Sequence, residues 1–132
     1  FLSAFGEHVI SEEVEQAVSK TLKNSDVVIK EFTVAPIINP KEGLPHHEWY
    51  IDFVIPPKDI KDFSFKLDNE MRKLNIYYDD LVSGGIINKL NIKRVQSGGF
   101  ENYMRSLGKL GGQNKVPRLS NDRKIADQLT LY

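Results

Sequence analysis

The sequence predicts a single α+β domain, and two observations carry that expectation. Segments of strand and helix character alternate in the order β-α-β-β-α-β-α. The 132 residues, 40% hydrophobic and 10% aromatic, are enough for one core and too few for two.

Each element follows from a local pattern. Residues 1–5 are apolar enough for a short strand, and residues 6–10 form a turn into the first helix. Ser11 is placed to cap that helix, with Glu12 and Glu13 in its first turn, where negative charge suits the dipole. Val14, Ala17, Val18, Thr21 and Leu22 recur at i, i+3, i+4, i+7 and i+8, a stripe that faces a core, and Asn24 ends the helix. Residues 27–38 are rich in β-branched side chains. After a turn over residues 39–45, Trp49, Ile51, Phe53 and Ile55 alternate with Glu48, Tyr50, Asp52 and Val54, so the pair reads as a hairpin. Pro56-Pro57 stops the second strand, and Ile60, Phe63, Leu67, Met71 and Leu74 repeat at helical spacing. Ser83-Gly84-Gly85 breaks the chain, residues 90–95 form the next strand, and Phe100, Tyr103, Met104 and Leu107 mark another helix. Ser120 is placed to cap a last short helix through Ile125, Ala126 and Leu129. Two right-handed crossings that share one antiparallel hairpin give the ferredoxin-like layout, a four-stranded sheet with helices on one face, here with a C-terminal helix and a mobile loop added. The expected division is 1–108 for the sheet domain, 109–119 for the lysine-bearing loop and 120–132 for a helical tail.

Eighteen basic residues balance eighteen acidic ones. That balance argues against a chain built to coat nucleic acid or an anionic membrane. The charges are nevertheless segregated: residues 1–87 carry 9 basic and 15 acidic side chains, and residues 88–124 carry 9 basic and 2 acidic. Seven of the nine glycines also fall after residue 83, and a pliable cationic segment suggests an anionic ligand. The absence of cysteine excludes disulfides and thiolate chemistry and suits a reducing, cytoplasmic setting. No apolar run approaches the roughly 20 residues of a membrane helix, and residues 1–8 lack the pattern of a signal peptide. A first residue of Phe rather than Met is expected of a piece of a longer chain.

Several kinds of site fail on spacing. His46 and His47 project to opposite sides of a strand, so no metal site is expected there. No Ser stands in a G-x-S-x-G turn, and Gly108-Lys109 is followed by Leu110 rather than Ser or Thr, which removes both a triad and a Walker phosphate loop. The strand over residues 90–95 lacks the aromatic signature of RNA-recognition sheets. One stretch does invite chemistry. In GGQNKVPR, Gly111 and Gly112 supply a hinge, Pro117 holds Val116 extended, and Lys115 is a lone ammonium on a long stem. A cation delivered there would suit an α-phosphate gathering negative charge in its transition state.

The stretch GGQNKVPRLSNDRKIAD, the opening LSAFGEHVISEEVEQAV and the spaced HHEWYIDF resemble the C-terminal domain of the Gretchen Hagen family, the auxin-responsive acyl acid-amido synthetases and their bacterial relatives. More distantly, residues 3–18 are similar to the hinge-proximal segment of adenylate-forming enzymes. The resemblance implies a two-step ligase whose larger N-terminal domain binds ATP, Mg2+ and a carboxylic acid. An acyl-adenylate forms first; an amino acid then attacks it and AMP leaves. It further implies that Lys115 serves the first step and that Arg118 contacts phosphate or the other domain. Gly6, Glu7 and His47 would face that domain, and Gly111 and Gly112 would let the loop reach. The isolated fragment is expected to be inactive. The alternative class is a non-enzymatic ferredoxin-like module that binds a small molecule or dimerises through its sheet. The two differ in where the site lies: on the 109–119 loop for the ligase, on the folded core for the module.

Overall fold

The computed structural model describes residues 1–108 and 115–132. Its elements are α1 (Ser11–Leu22), β1 (Val28–Ile37), β2 (His46–Ile55), α2 (Ile60–Leu74), α3 (Ile76–Ser83), β3 (Asn91–Arg94) and α4 (Gly99–Ser106), followed by one 3₁₀ turn, Ala126–Gln128. The architecture is α+β, as expected. β1 and β2 form the antiparallel hairpin, with Val34 opposite Trp49 and Phe32 opposite Ile51, and β3 runs parallel to β2 with Ile92 opposite Trp49.

Strand alternation divides the sheet into two unlike faces. Phe32, Val34, Trp49, Ile51 and Phe53 point to one side, where Val14, Ala17 and Val18 of α1, Phe63, Leu67 and Met71 of α2, and Tyr78 of α3 complete the main core. Ala35 and Tyr50 point to the other side and meet Val95, Phe100 of α4, Val116, Ala126 and Leu129 in a second, smaller core. α1, α2 and α3 therefore share one face, while α4 and the C-terminal segment cover the other.

The structure differs from the sequence expectation at four places. Residues 1–5 are not a strand of the sheet: Leu2 and Val9 exchange backbone hydrogen bonds of 2.7 and 2.8 Å with each other, closing residues 2–9 into a loop. Gly6, at a φ of +89° that suits glycine, folds the segment back on itself, so its backbone groups are satisfied locally. Among the described residues the sheet consequently has three strands, in the order β1-β2-β3. Second, α1 begins at Ser11 rather than after it. Ile10 occupies the cap, and its N–H donates to Glu13 Oε1 at 3.0 Å. Third, the segment after Leu74 is helical again. Asn75 ends α2 and caps α3, its Oδ1 accepting from Tyr78 N at 2.8 Å. The cap of α2 is Asp59, which accepts from the N–H groups of Lys61 and Asp62. Fourth, the helix expected after Ser120 is a single 3₁₀ turn. Ala126 and Leu129 are buried as expected, but the three-residue turn is too short to set up a helical ladder. No described helix is long and apolar enough to cross a membrane.

Candidate functional site

Lys115 is exposed, and the residue after it is not: Val116 is 6% exposed and belongs to the second core. From there the chain is fastened to β1 step by step. Thr33 Oγ1 donates to Pro117 O at 2.6 Å, Val34 N donates to Arg118 O at 2.8 Å, and Ser120 N donates to Val34 O at 3.0 Å. Residues 118–120 thus make a parallel bridge along the outer edge of β1, where a fourth strand would lie. Lys115 sits at the rim of a recess of 150 Å³ lined also by Tyr103, Met104, Leu107, Val116, Pro117 and Ile125. Gly111 and Gly112, read as the hinge of this loop, lie outside the described residues.

Arg118 is held inside the domain. Its Nε donates to Glu15 Oε1 of α1 at 2.6 Å, and its Nη1 donates to Glu31 Oε1 of β1 and, at 3.2 Å, to Phe32 O. The guanidinium also lies 4.3 Å from the centre of the Phe32 ring. Burial disfavours its charge, but the bonds to Glu15 and Glu31 outweigh this and raise its pKa further above its ordinary value.

Arg123 behaves in the same way on the second face. It pairs with Glu48 Oε1 at 3.0 Å and with Asp127 at 3.0 Å, and it also donates to the Tyr50 hydroxyl. Glu48, 5% exposed, accepts from Tyr50 as well and has Lys93 at 3.9 Å. Lys93, Arg118 and Arg123 of the basic stretch 88–124 are thus answered by Glu15, Glu31 and Glu48 of the acidic N-terminal part, and only tertiary folding brings the two together. The sequence carries no local mark of Thr33, Glu15 or Glu31 as partners of the lysine segment. Nor did it single out Asn121, which accepts from Ser3 N and donates to Phe1 O, tying the first residues to the last.

Glu7 and His47 are brought together, in the interior. His47 Nε2 donates to Glu7 Oε2 at 2.6 Å, with the side chains 2% and 0% exposed. The His47 ring stacks on Phe5 and Tyr78. This burial corrects the expectation that the two side chains face another domain: neither has surface to offer. Of residues 6–10, Gly6, His8 and Ile10 are the exposed ones. His46 lies apart from His47, with Nδ1 3.0 Å from Leu44 O. Among the described residues no group of three or more His, Cys, Asp or Glu side chains is placed to hold a metal ion.

The chain matches the GH3 family C-terminal domain over residues 12–124. No curated protein matches it. Among solved structures, GH3.15 acyl acid amido synthetase superposes with a TM-score of 0.77 at 20% identity, over 99% of this chain and 25% of its own. AtGH3.15 acyl acid amido synthetase in complex with 2,4-DB superposes with a TM-score of 0.64 at 18% identity, over 91% of this chain and 24% of its own. Both likenesses are of fold, and the chain spans about a quarter of the length of each of these structures.

Proposed function

The chain belongs to the GH3 family as its C-terminal domain, and from that premise we propose that it is the moving lid of an ATP-dependent ligase that joins a carboxylic acid to an amino acid. The partner is a larger N-terminal domain of the same protein, which holds ATP, Mg2+ and the acid; the setting is the cytoplasm. When bound, ATP supplies the α-phosphorus that the acid's carboxylate oxygen attacks as the bond to pyrophosphate breaks, and Mg2+ neutralises phosphate charge. In the second step the amine nitrogen attacks the activated carbonyl, its proton is lost and AMP departs.

The chemistry assigned to this chain is narrower. The described residues include an exposed ammonium that suits phosphate oxygens, so the part assigned to this chain is positive charge. Lys115 is the catalytic residue in this reading. Lid closure brings its ammonium to the α-phosphate while water is excluded, where one well-placed donor is worth about 3–4 kcal/mol of transition-state stabilisation. The observation that carries the proposal is the junction at Val116. The lysine stands in solvent, but the residue after it is packed into the second core and the next two are bonded to β1, so the domain can deliver the charge as a rigid body.

The test is Lys115→Ala in the parent enzyme. Acid-dependent ATP–pyrophosphate exchange should fall by about 10² or more with the fold intact. Unchanged exchange would remove Lys115 from the mechanism.

A further inference from the structure

Arg118, three residues beyond Lys115, is read from the resemblance as a contact to phosphate or to the other domain. Its surroundings argue for a different task. Nε is engaged by Glu15 and Nη1 by Glu31 and Phe32 O, and one face of the guanidinium covers the Phe32 ring. Two carboxylates already offset its single charge, and a planar fork held at two edges has little left for an incoming anion. Glu15 lies on α1 and Glu31 on β1, so the side chain joins the helix layer to the sheet at the point where residues 118–120 dock. Three residues of chain span at most about 10 Å, which puts the lysine backbone on a short tether from this joint.

We propose that Arg118 is a positioning residue for Lys115: the Glu15–Arg118–Glu31 ion pairs clip the lysine-bearing segment to α1 and β1 and fix the point from which the ammonium reaches the reaction centre. The inference rests on Lys115 serving adenylation. Thr33 is the second fastener, through its bond to Pro117 O. Because the clip acts only through Lys115, its loss slows the adenylation step and leaves ATP binding and the amide-forming step largely intact.

The experiment compares Arg118→Gln, Arg118→Lys, the double variant Glu15→Gln/Glu31→Gln, and the triple variant in the full-length enzyme. It reads pyrophosphate exchange against ATP concentration, amide formation from preformed acyl-adenylate, and thermal unfolding. Expected is a fall of about tenfold in the kcat of exchange for Arg118→Gln, with the KM for ATP and the amide-forming rate within about twofold. The Glu15→Gln/Glu31→Gln enzyme should show the same loss, and adding Arg118→Gln to it should cost no more, since the three act as one unit. Arg118→Lys should recover only part, because an ammonium cannot bridge both carboxylates in the fork geometry. If Arg118→Gln raises the KM for ATP about tenfold while Glu15→Gln/Glu31→Gln is unaffected, Arg118 is a direct phosphate contact and the inference falls. Should Arg118→Gln unfold, the same comparison is made with Arg118→Lys and the glutamine pair. Impaired exchange in Lys115→Ala with normal exchange in every clip variant overturns the clip alone; normal exchange in Lys115→Ala overturns the functional reading as well.

Discussion

Glu7 and His47, forty positions apart in the chain, share a 2.6 Å hydrogen bond with both side chains shut off from solvent. The bond fixes the turn after Phe5 to the start of β2, and Asn75 reinforces it by donating to Glu7 O at 3.1 Å and His8 O at 3.3 Å. Burial raises the Glu7 pKa. The hydrogen bond from His47, the N–H groups of Glu7 itself and Phe5, and the charge of His47 outweigh that and hold it below its ordinary value. A carboxyl whose folded pKa is depressed contributes stability above its unfolded pKa and loses it as the pH falls through the folded one. The melting temperature should therefore drop on acidification below about pH 4.5, and Glu7→Gln should flatten that dependence. Equal slopes in the two proteins would exclude Glu7 as the source. Glu7→Ala, which leaves His47 unpaired in the interior, should cost about 3–5 kcal/mol in chemical unfolding.

Tyr78→Phe tests the neighbouring buried pair. The Tyr78 hydroxyl donates to Asp68 Oδ1 at 2.5 Å, and Leu90 N donates to the same oxygen at 3.1 Å. Removing the hydroxyl leaves a carboxylate that is 1% exposed with one donor fewer, and a loss of about 1–3 kcal/mol is expected in urea unfolding with the m-value unchanged. Burial, together with Asp68, pushes the Tyr78 pKa well above its ordinary value. Its absorbance should stay that of the neutral phenol at about pH 10, where free tyrosine is half ionised.

Gly99→Ala should destabilise the docking of α4, although alanine is the better helix former. A Cβ at Gly99 would stand 2.6 Å from Val95 Cγ1 and 3.4 Å from Thr130 O. Overpacking of that kind costs about 1–3 kcal/mol, more than the roughly 1 kcal/mol of helix propensity gained. Thermal unfolding should show a lower midpoint, and combining Gly99→Ala with Val95→Ala, which removes the clashing methyl, should cost less than the sum of the two single losses. Simple addition of the two losses would place the cause elsewhere.

Thr33→Val removes the hydroxyl that holds Pro117 O and keeps the shape of the side chain. Thr33 is 2% exposed, so the carbonyl loses a partner that water cannot readily replace, at a cost of about 1 kcal/mol. In the parent enzyme this variant should slow adenylation severalfold and spare the amide-forming step. An equal slowing of both steps would point to a general loss of fold instead.

The elements whose evidence is local were legible in the sequence. The stripes of α1, α2 and α4 and the alternation of β2 are properties of neighbouring residues, and the structure has each of these elements in place, with Ile55 at the end of β2 and Leu107 just past α4 exposed. The failures have local causes too. α3 is only eight residues long and follows α2 through one shared cap, Asn75, too short a signal for periodicity to separate. Residues 1–5 are apolar in a way that suits either a strand or a closed loop, and the pairing of Leu2 with Val9 decided it. Lys115 stood out because glycine, proline and a lone ammonium are readable in a short window.

By itself, then, the sequence determined the α+β class, the hairpin, the amphipathic helices and a lysine segment that resembles one of the GH3 C-terminal domain. Only the tertiary structure decided where charges and backbone groups find their partners. Arg118 meets Glu15 across 103 residues, Glu31 across 87 and the backbone of β1, while Glu7 meets His47 across 40. Such pairings depend on which surfaces the packed core brings together, and a polar side chain carries no local mark of the distant partner that will satisfy it. That is why the same guanidinium reads in the chain as a contact to phosphate or to another domain and in the fold is bonded to Glu15 and Glu31.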